Sequence, residues 1–199
     1  SAMYSAKRMG VDYSVHDPLR IGSMEEDDQF EWELRMALYS QQLSVYFQPK
    51  VSVESGRLQG LEALVRWKHA KKGLLSPDIF IPVAERNGLI RHLTRWMINA
   101  TIRQCALWKS EGIYIPVSVN LSGKDLVDHK LVEYIALVLE TWDMSGNYLE
   151  LEITETMAID NYDDCYDVLN ELSSMGVKIA VDDFGTGYSS LTHLKQLPV

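Results

Sequence analysis

Two adjacent carboxylates, Asp182 and Asp183, end a strand-like run in which Val177, Ile179 and Val181 alternate with Lys178 and Ala180. Gly185 and Gly187 follow and allow a sharp turn, and Ser189 is placed to cap a short helix pattern on Leu191, Leu194 and Leu197. Paired acids at the end of an apolar strand are costly unless something offsets their charge. A hard divalent cation does this, because it prefers carboxylate oxygens. Backbone N–H groups of a capped turn do it too, and both readings stay open on this stretch alone.

Other polar residues repeat the placement. Asn120, Glu152 and Asp182 each sit near the C-terminal end of a strand pattern, on the parity opposite its aliphatic residues, and Glu62 holds the equivalent parity of its own strand. In a barrel that parity would face the lumen, and the C-terminal rim is where barrels carry their chemistry. Three carboxylates and an amide suit Mg²⁺ or Mn²⁺ better than Zn²⁺. Asp183 is placed for a second ion, and two such ions can activate water and stabilise an in-line displacement at phosphorus. Taken singly, each acid is more often a cap or a salt-bridge partner than a ligand, and Glu150 and Lys178 show how easily polar residues occur on this parity and could simply pair with each other. Arg66, on the face of Glu62, suits a bidentate phosphate contact or a bridge to a rim acid. Gln48 could read a base edge or satisfy backbone. Glu155 could tie down the turn after Asp183 or cap its own loop. His69, His92, His129 and His193 lack metal spacing and read as surface or helix-end residues, while the tryptophans read as core.

The elements that must position these residues alternate. A helix is expected from Phe30 to Gln41, then strands at Leu43–Val53 and Leu58–Trp67 joined by the hairpin turn Glu54-Ser55-Gly56-Arg57. One long helical region runs from Pro77 to Gly112, followed by a strand at Pro116–Leu121, a helix at Lys124–Trp142, a strand at Tyr148–Thr154 and a helix at Asn161–Met175. Strand–helix alternation predicts an α/β fold with a parallel sheet and crossover helices, doubly wound or closed into a barrel. No glycine-rich phosphate fingerprint follows the first strand, which weakens the doubly wound nucleotide-binding reading.

The chain has 199 residues, 46% of them hydrophobic and 24% charged, enough to bury a core. No apolar run approaches the roughly 20 residues that span a bilayer, and no signal-peptide pattern opens the chain. Cys105 and Cys165 read as reduced core residues, so a cytoplasmic setting is expected, with upstream domains able to tether a longer protein to a membrane. A formal charge of −9 argues against a polymer-coating nucleic-acid surface, but not against a small anionic ligand. Residues 11–29, with Pro18, Gly22 and the acidic run Glu25–Asp28, read as a linker between a tail helix at 1–10 and a domain from 30 to 199.

These motifs together resemble the EAL family of cyclic di-GMP phosphodiesterases. The resemblance is carried by Gln48-Pro49, the run Glu62-Ala63-Leu64-Val65-Arg66-Trp67, FIPVAERNGLI from Phe80 to Ile90, Val119-Asn120-Leu121-Ser122, Glu152-Ile153-Thr154-Glu155 and DDFGTGYSSL from Asp182 to Leu191. The opening AMYSAKRMG is similar to the last helix of a GGDEF (diguanylate cyclase) domain, which implies a GGDEF-like neighbour. The resemblance implies metal ligation by Glu62, Asn120, Glu152 and Asp182, with Asp183 on a second ion, and catalytic roles for Glu62, Asp182 and Asp183. It implies phosphate contacts from Arg66 and the Leu64 backbone, a substrate-pocket role for Gln48, and a loop-holding role for Glu155. The implied reaction is hydrolysis of cyclic di-GMP to linear pGpG with a metal-activated water, in Mg²⁺ or Mn²⁺.

The implied fold is a (β/α)8 TIM-barrel-like domain with one antiparallel strand, which fits the hairpin Leu43–Trp67. Family members continue with a catalytic lysine and further polar ligands on later strands. The expectation for this chain is a barrel truncated after about five strands, inactive or very weak by itself, with an exposed sheet edge that favours a homodimer. A receptor that binds cyclic di-GMP without cutting it, and an interaction module with no ligand, are the alternatives.

Overall fold

Aliphatic residues at every second position turn five stretches of the chain into one sheet. The computed structural model describes residues 18–160, 162–182 and 197–199, with side chains described for 27–157, 165–182 and 197–199. Strand β1 is Leu43–Val51, β2 is Leu58–His69, β4 is Val117–Asn120, β5 is Leu149–Thr154 and β6 is Lys178–Asp182. A three-residue strand β3, Gly73–Leu75, pairs antiparallel with the end of β2. The sheet order is β1-β2-β4-β5-β6. The β1–β2 pair is antiparallel, and β2–β4, β4–β5 and β5–β6 are parallel. This is the expected α/β architecture with one reversed strand, and five strands lie on the main path.

The odd-numbered parity builds the core. Ala63, Val65, Trp67, Val117, Val119, Leu149, Leu151, Ile153 and Ile179 are all buried beneath the helices. The helices supply the opposing layer: Leu34 and Ala37 from α1 (Pro18–Tyr39), Phe80 and Ala84 from α2 (Pro77–Arg86), and Ile98 and Ile102 from α3 (Ile90–Ser110). After β4 come the short α4 (Gly123–Leu126) and then α5 (His129–Thr141), which buries Leu131 and Ile135. After β5 come α6 (Glu155–Asp160) and α7 (Tyr162–Ser174), with Val168, Leu169 and Leu172 buried. Burying such side chains is worth about 1.5–3 kcal/mol each and is the main term holding the layers together.

Several elements differ from expectation. The helical region after Pro77 is two helices: Asn87 ends α2, and Gly88 follows at φ +72, where a glycine avoids the strain a side chain would bring. The stretch Lys124–Trp142 is also broken. Asp128 accepts from the Lys130 N–H at 3.2 Å and starts α5 afresh. Residues 18–28, within the expected linker, form the first turns of α1. His69 is not a surface residue: it is 6% exposed, its Nε2 lies 2.9 Å from Glu33 Oε2, and its Nδ1 accepts from the Lys71 and Lys72 N–H groups. An Nδ1 that accepts leaves the ring proton on Nε2, so a neutral His69 donates to Glu33. This bond and the Phe30–Trp67 ring contact, 5.1 Å between centroids, clamp α1 onto the end of β2. Trp67 is core, as expected, but Trp32 is an exception at 59% exposure.

Candidate active site

The even parity of the sheet is polar, and its cross-strand register orders the site. Gln48, Glu62, Ser118, Glu150 and Lys178 form one continuous row of pairs across β1, β2, β4, β5 and β6. Asn120, Glu152 and Ala180 form the next row toward the strand ends, and Thr154 pairs with Asp182 one row further. The expected ligand positions therefore climb row by row from β2 to β6. Strand tilt in a barrel demands such a stagger for positions at one height on the axis.

Within this face the structure brings Glu62 and Asn120 together. The Asn120 Nδ2 donates to Glu62 Oε1 at 2.8 Å, leaving the Asn120 Oδ1 as an acceptor. The Leu121 N–H donates to the Glu152 carbonyl at 2.9 Å, which extends the β4–β5 ladder past Asn120. Asn120 and Asp182 are exposed, Glu62 is half-buried and Glu152 is buried. Among the described residues, no three His, Cys, Asp or Glu side chains are close enough together to hold a metal ion. Glu62 has an amide as its partner, and Glu152 has Lys50. Asp183 and His193 lie outside the described residues.

Lys50 is the site residue that sequence reasoning passed over. Its Nζ lies 2.6 Å from Glu150 Oε1, 2.7 Å from Glu152 Oε1 and 3.4 Å from Ser118 Oγ. In place of a Glu150–Lys178 pair, the structure forms Glu150–Lys50. Lys50 reaches β5 from β1 across β2 and β4, about 14 Å in a flat sheet, so the contact marks a sheet curling around its polar face. Burial on this face works to lower the Lys50 pKa, but the hydrogen bonds that the ammonium donates to Glu150 and Glu152, with the charges of those carboxylates, outweigh it and hold the pKa above its ordinary value. The available signal was parity: Lys50 is two residues from Gln48 and shares its face.

Arg66 is not bridged to a rim acid. One guanidinium nitrogen donates to the Val65 carbonyl at 2.9 Å, and the group sits 5.8 Å from the Tyr46 ring centroid. Among the described residues its other donors make no hydrogen bond, which leaves them available to an anion. Gln48 is exposed on β1 opposite Glu62. Glu155 is buried at the start of α6, and the loop it was expected to hold lies outside the described residues. A cavity of about 460 Å³ opens beside Leu64, Asn120 and Thr154, walled by Ile81, Leu93 and Met157, within the size range of small-ligand pockets.

A buried network sets the backbone after Asn120. The Asp125 carboxylate is 1% exposed, and its Oδ2 accepts from the Ser122 N–H at 3.0 Å, the Ser122 Oγ at 2.7 Å and the Thr94 Oγ1 at 2.8 Å. This ties α4 to α3 directly behind the strand end that carries Asn120.

The fold and the motifs have known counterparts. The family model of the EAL domain matches residues 31–199. The chain is 39% identical over 200 residues to the bifunctional diguanylate cyclase/cyclic di-GMP phosphodiesterase MucR of Pseudomonas aeruginosa, covering 100% of this chain and 29% of that protein. It is 37% identical over 200 residues to the cyclic di-GMP phosphodiesterase PdeR of Escherichia coli, covering 100% of this chain and 30% of that protein. The chain thus spans less than a third of the length of these relatives. The solved PaMucR phosphodiesterase in complex with c-di-GMP superposes with a TM-score of 0.82 at 41% identity, over 86% of this chain and 70% of that one. The sheet order, the reversed first strand and a family match over nearly the whole described fold place this chain in the EAL domain family.

Proposed function

We propose that the intact domain hydrolyses one phosphodiester of cyclic di-GMP to linear pGpG and depends on Mg²⁺ or Mn²⁺. The observation that carries this reading is the Glu62–Asn120 pair, with Glu152 and Asp182 on the same polar face at the C-terminal ends of adjacent strands. All four offer hard oxygen donors, the set that suits a divalent cation of this kind. An acidic rim on a chain of formal charge −9 would repel a phosphodiester, so the same geometry calls for positive charge at the site. When bound, the cation supplies Lewis acidity and charge neutralisation at the scissile phosphate. Glu62, Asn120, Glu152 and Asp182 would hold it, and Asp183 is assigned to a second ion.

The chain's own residues do the rest. Arg66 turns its unengaged donors to a non-bridging phosphate oxygen, and the Leu64 backbone lines the same approach. Gln48 orients the substrate across from Glu62. Glu155, buried at the start of α6, is assigned to holding the loop that follows Asp183. A GGDEF-like domain is the assigned neighbour in the longer protein, on the far side of residues 11–29, and β1 and β6, the edge strands of the sheet among the described residues, are the assigned route to a homodimer.

The test is hydrolysis of cyclic di-GMP by the longer protein that carries this domain, read by chromatography for pGpG in Mg²⁺, in Mn²⁺ and in chelator, with Glu62→Ala alongside. Product that needs the cation and disappears in Glu62→Ala is the expected result. Equal product from Glu62→Ala overturns the ligand assignment. Binding of cyclic di-GMP without pGpG overturns the enzyme in favour of the receptor.

A further inference from the structure

We propose that Lys50 is a positioning residue of the candidate cation centre, a tethered cation that holds Glu152 by one oxygen and opposes divalent-ion binding at the other. The inference rests on the reading above that Glu152 is a cation ligand. Glu150 and Glu152 are two residues apart on one face of β5, about 6.6 Å along the strand. Their side chains are 25% and 10% exposed, so two charges stand close together where water is sparse. An unpaired carboxylate in that position is costly, and like charges side by side add to the cost.

Lys50 meets both acids at once. Its Nζ contacts Oε1 of Glu150 at 2.6 Å and Oε1 of Glu152 at 2.7 Å. The second oxygen of Glu152 makes no hydrogen bond among the described residues. On the way to β5 the ammonium passes Ser118, whose Oγ lies 3.4 Å from it. A small hydroxyl side chain at Ser118 leaves room for an amine to reach both glutamates. The clamp fixes the direction in which Glu152 presents its remaining oxygen. It also places a positive charge a few Å from any divalent ion that oxygen would hold.

Two effects then oppose each other. The clamp pre-orients a ligand, which favours the ion. The fixed positive charge repels the ion, and at a separation of about 5 Å that repulsion is the larger effect even with the Lys50 side chain 39% exposed. Lys50 therefore keeps the metal-free face stable and sets the affinity for the ion below what the acids alone would give.

The experiment measures Mn²⁺ affinity by isothermal calorimetry and thermal stability with and without Mn²⁺, on the longer protein that carries this domain and on its Lys50→Gln, Lys50→Met, Lys50→Arg and Glu62→Ala variants. Lys50→Gln keeps a polar side chain and removes the charge. The expected result is about tenfold tighter Mn²⁺ binding in Lys50→Gln and Lys50→Met. Both should also show a lower Tm without metal and a larger Tm rise on adding Mn²⁺. Lys50→Arg restores the charge and returns the affinity to within about threefold of wild type. A packing role alone would lower Tm equally in both conditions and would not tighten binding. Should Glu62→Ala lose Mn²⁺ while Lys50→Gln and Lys50→Met bind it no more tightly than wild type, the Lys50 proposal is wrong and the ligand assignment stands. Should Glu62→Ala bind Mn²⁺ as wild type does, or should no form bind it, the ligand assignment is wrong and the Lys50 proposal falls with it.

Discussion

The Asn120 amide donates to Glu62 Oε1 at 2.8 Å, joining β4 to β2 at the two positions most central to the candidate cation site. The bond fixes one oxygen of Glu62 and turns the amide so that its own oxygen remains an acceptor. Asn120→Ala removes both an oxygen donor and the group that orients Glu62. Mn²⁺ affinity should fall at least about tenfold, the scale on which removing a ligand's partner acts. Because Asn120 is exposed, the unfolding midpoint should barely move. A large loss of stability with unchanged affinity would reassign the pair to the fold.

Glu33 provides a pH test. Hydrogen bonds from His69, and then from Gln29 at 3.0 Å, hold its carboxyl below the ordinary glutamate value. A carboxyl depressed in the folded state contributes stability above its unfolded pKa of about 4.3 and loses it as pH falls through the lower folded value. Glu33→Gln should therefore lower Tm at pH 7, and the gap to wild type should close as both proteins are taken below about pH 4. A gap that stays constant with pH would mean that Glu33 supports α1 independently of its charge.

Much of this site was legible because sheet parity is a strict rule: one aliphatic set, Val117, Val119, Leu149, Leu151 and Ile153, forces Asn120 and Glu152 to the other face. The Lys50–Glu152 contact was not legible, since the two residues are 102 positions apart and meet only when the sheet curls across three strand spacings. Parity told which face Lys50 was on, but not how far its side chain would lean. The burial of His69 was hidden for a similar reason. Its partner, Glu33, lies on a different element 36 residues earlier, and a lone histidine carries no pattern of its own. The breaks at Gly88 and Asp128 were weakly legible, because the apolar stripe runs on through both and only the cap residues mark them.

Asp125 tests how far the backbone behind the rim matters. Its buried carboxylate satisfies three donors from Ser122 and Thr94. Asp125→Ala strands all three and should cost about 3 kcal/mol, read by urea denaturation. Thr94→Val removes one donor and should cost about 1 kcal/mol. If the network positions Asn120, folded Asp125→Ala at low temperature should also bind Mn²⁺ more weakly than Thr94→Val. Equal affinities in the two variants would confine the network to stability.

Gly146 controls how closely β5 and β6 begin. It opens the 3₁₀ turn Gly146–Tyr148 that feeds β5, and it lies against the turn Met175–Val177 that feeds β6. A Cβ at this position would collide with the Met175 carbonyl oxygen and come within 2.8 Å of Val177 N and 2.9 Å of Gly176 C. These are backbone atoms, which cannot rotate away as a side chain would. Gly146→Ala must push the two strand starts apart and should cost about 3 kcal/mol, the upper end of the overpacking range. The displacement reaches the site through register, because Glu150 pairs with Lys178 and Thr154 with Asp182 along the same ladder. Gly60 is the control: a Cβ there would meet the Pro116 carbonyl oxygen at 3.1 Å, a contact that a shift of a few tenths of an ångström relieves. Gly60→Ala should therefore be the milder of the two in urea denaturation. A Gly146→Ala protein as stable as wild type would show that β5 and β6 have slack at their starts, and the row-by-row placement of Glu152 and Asp182 would then not depend on that turn.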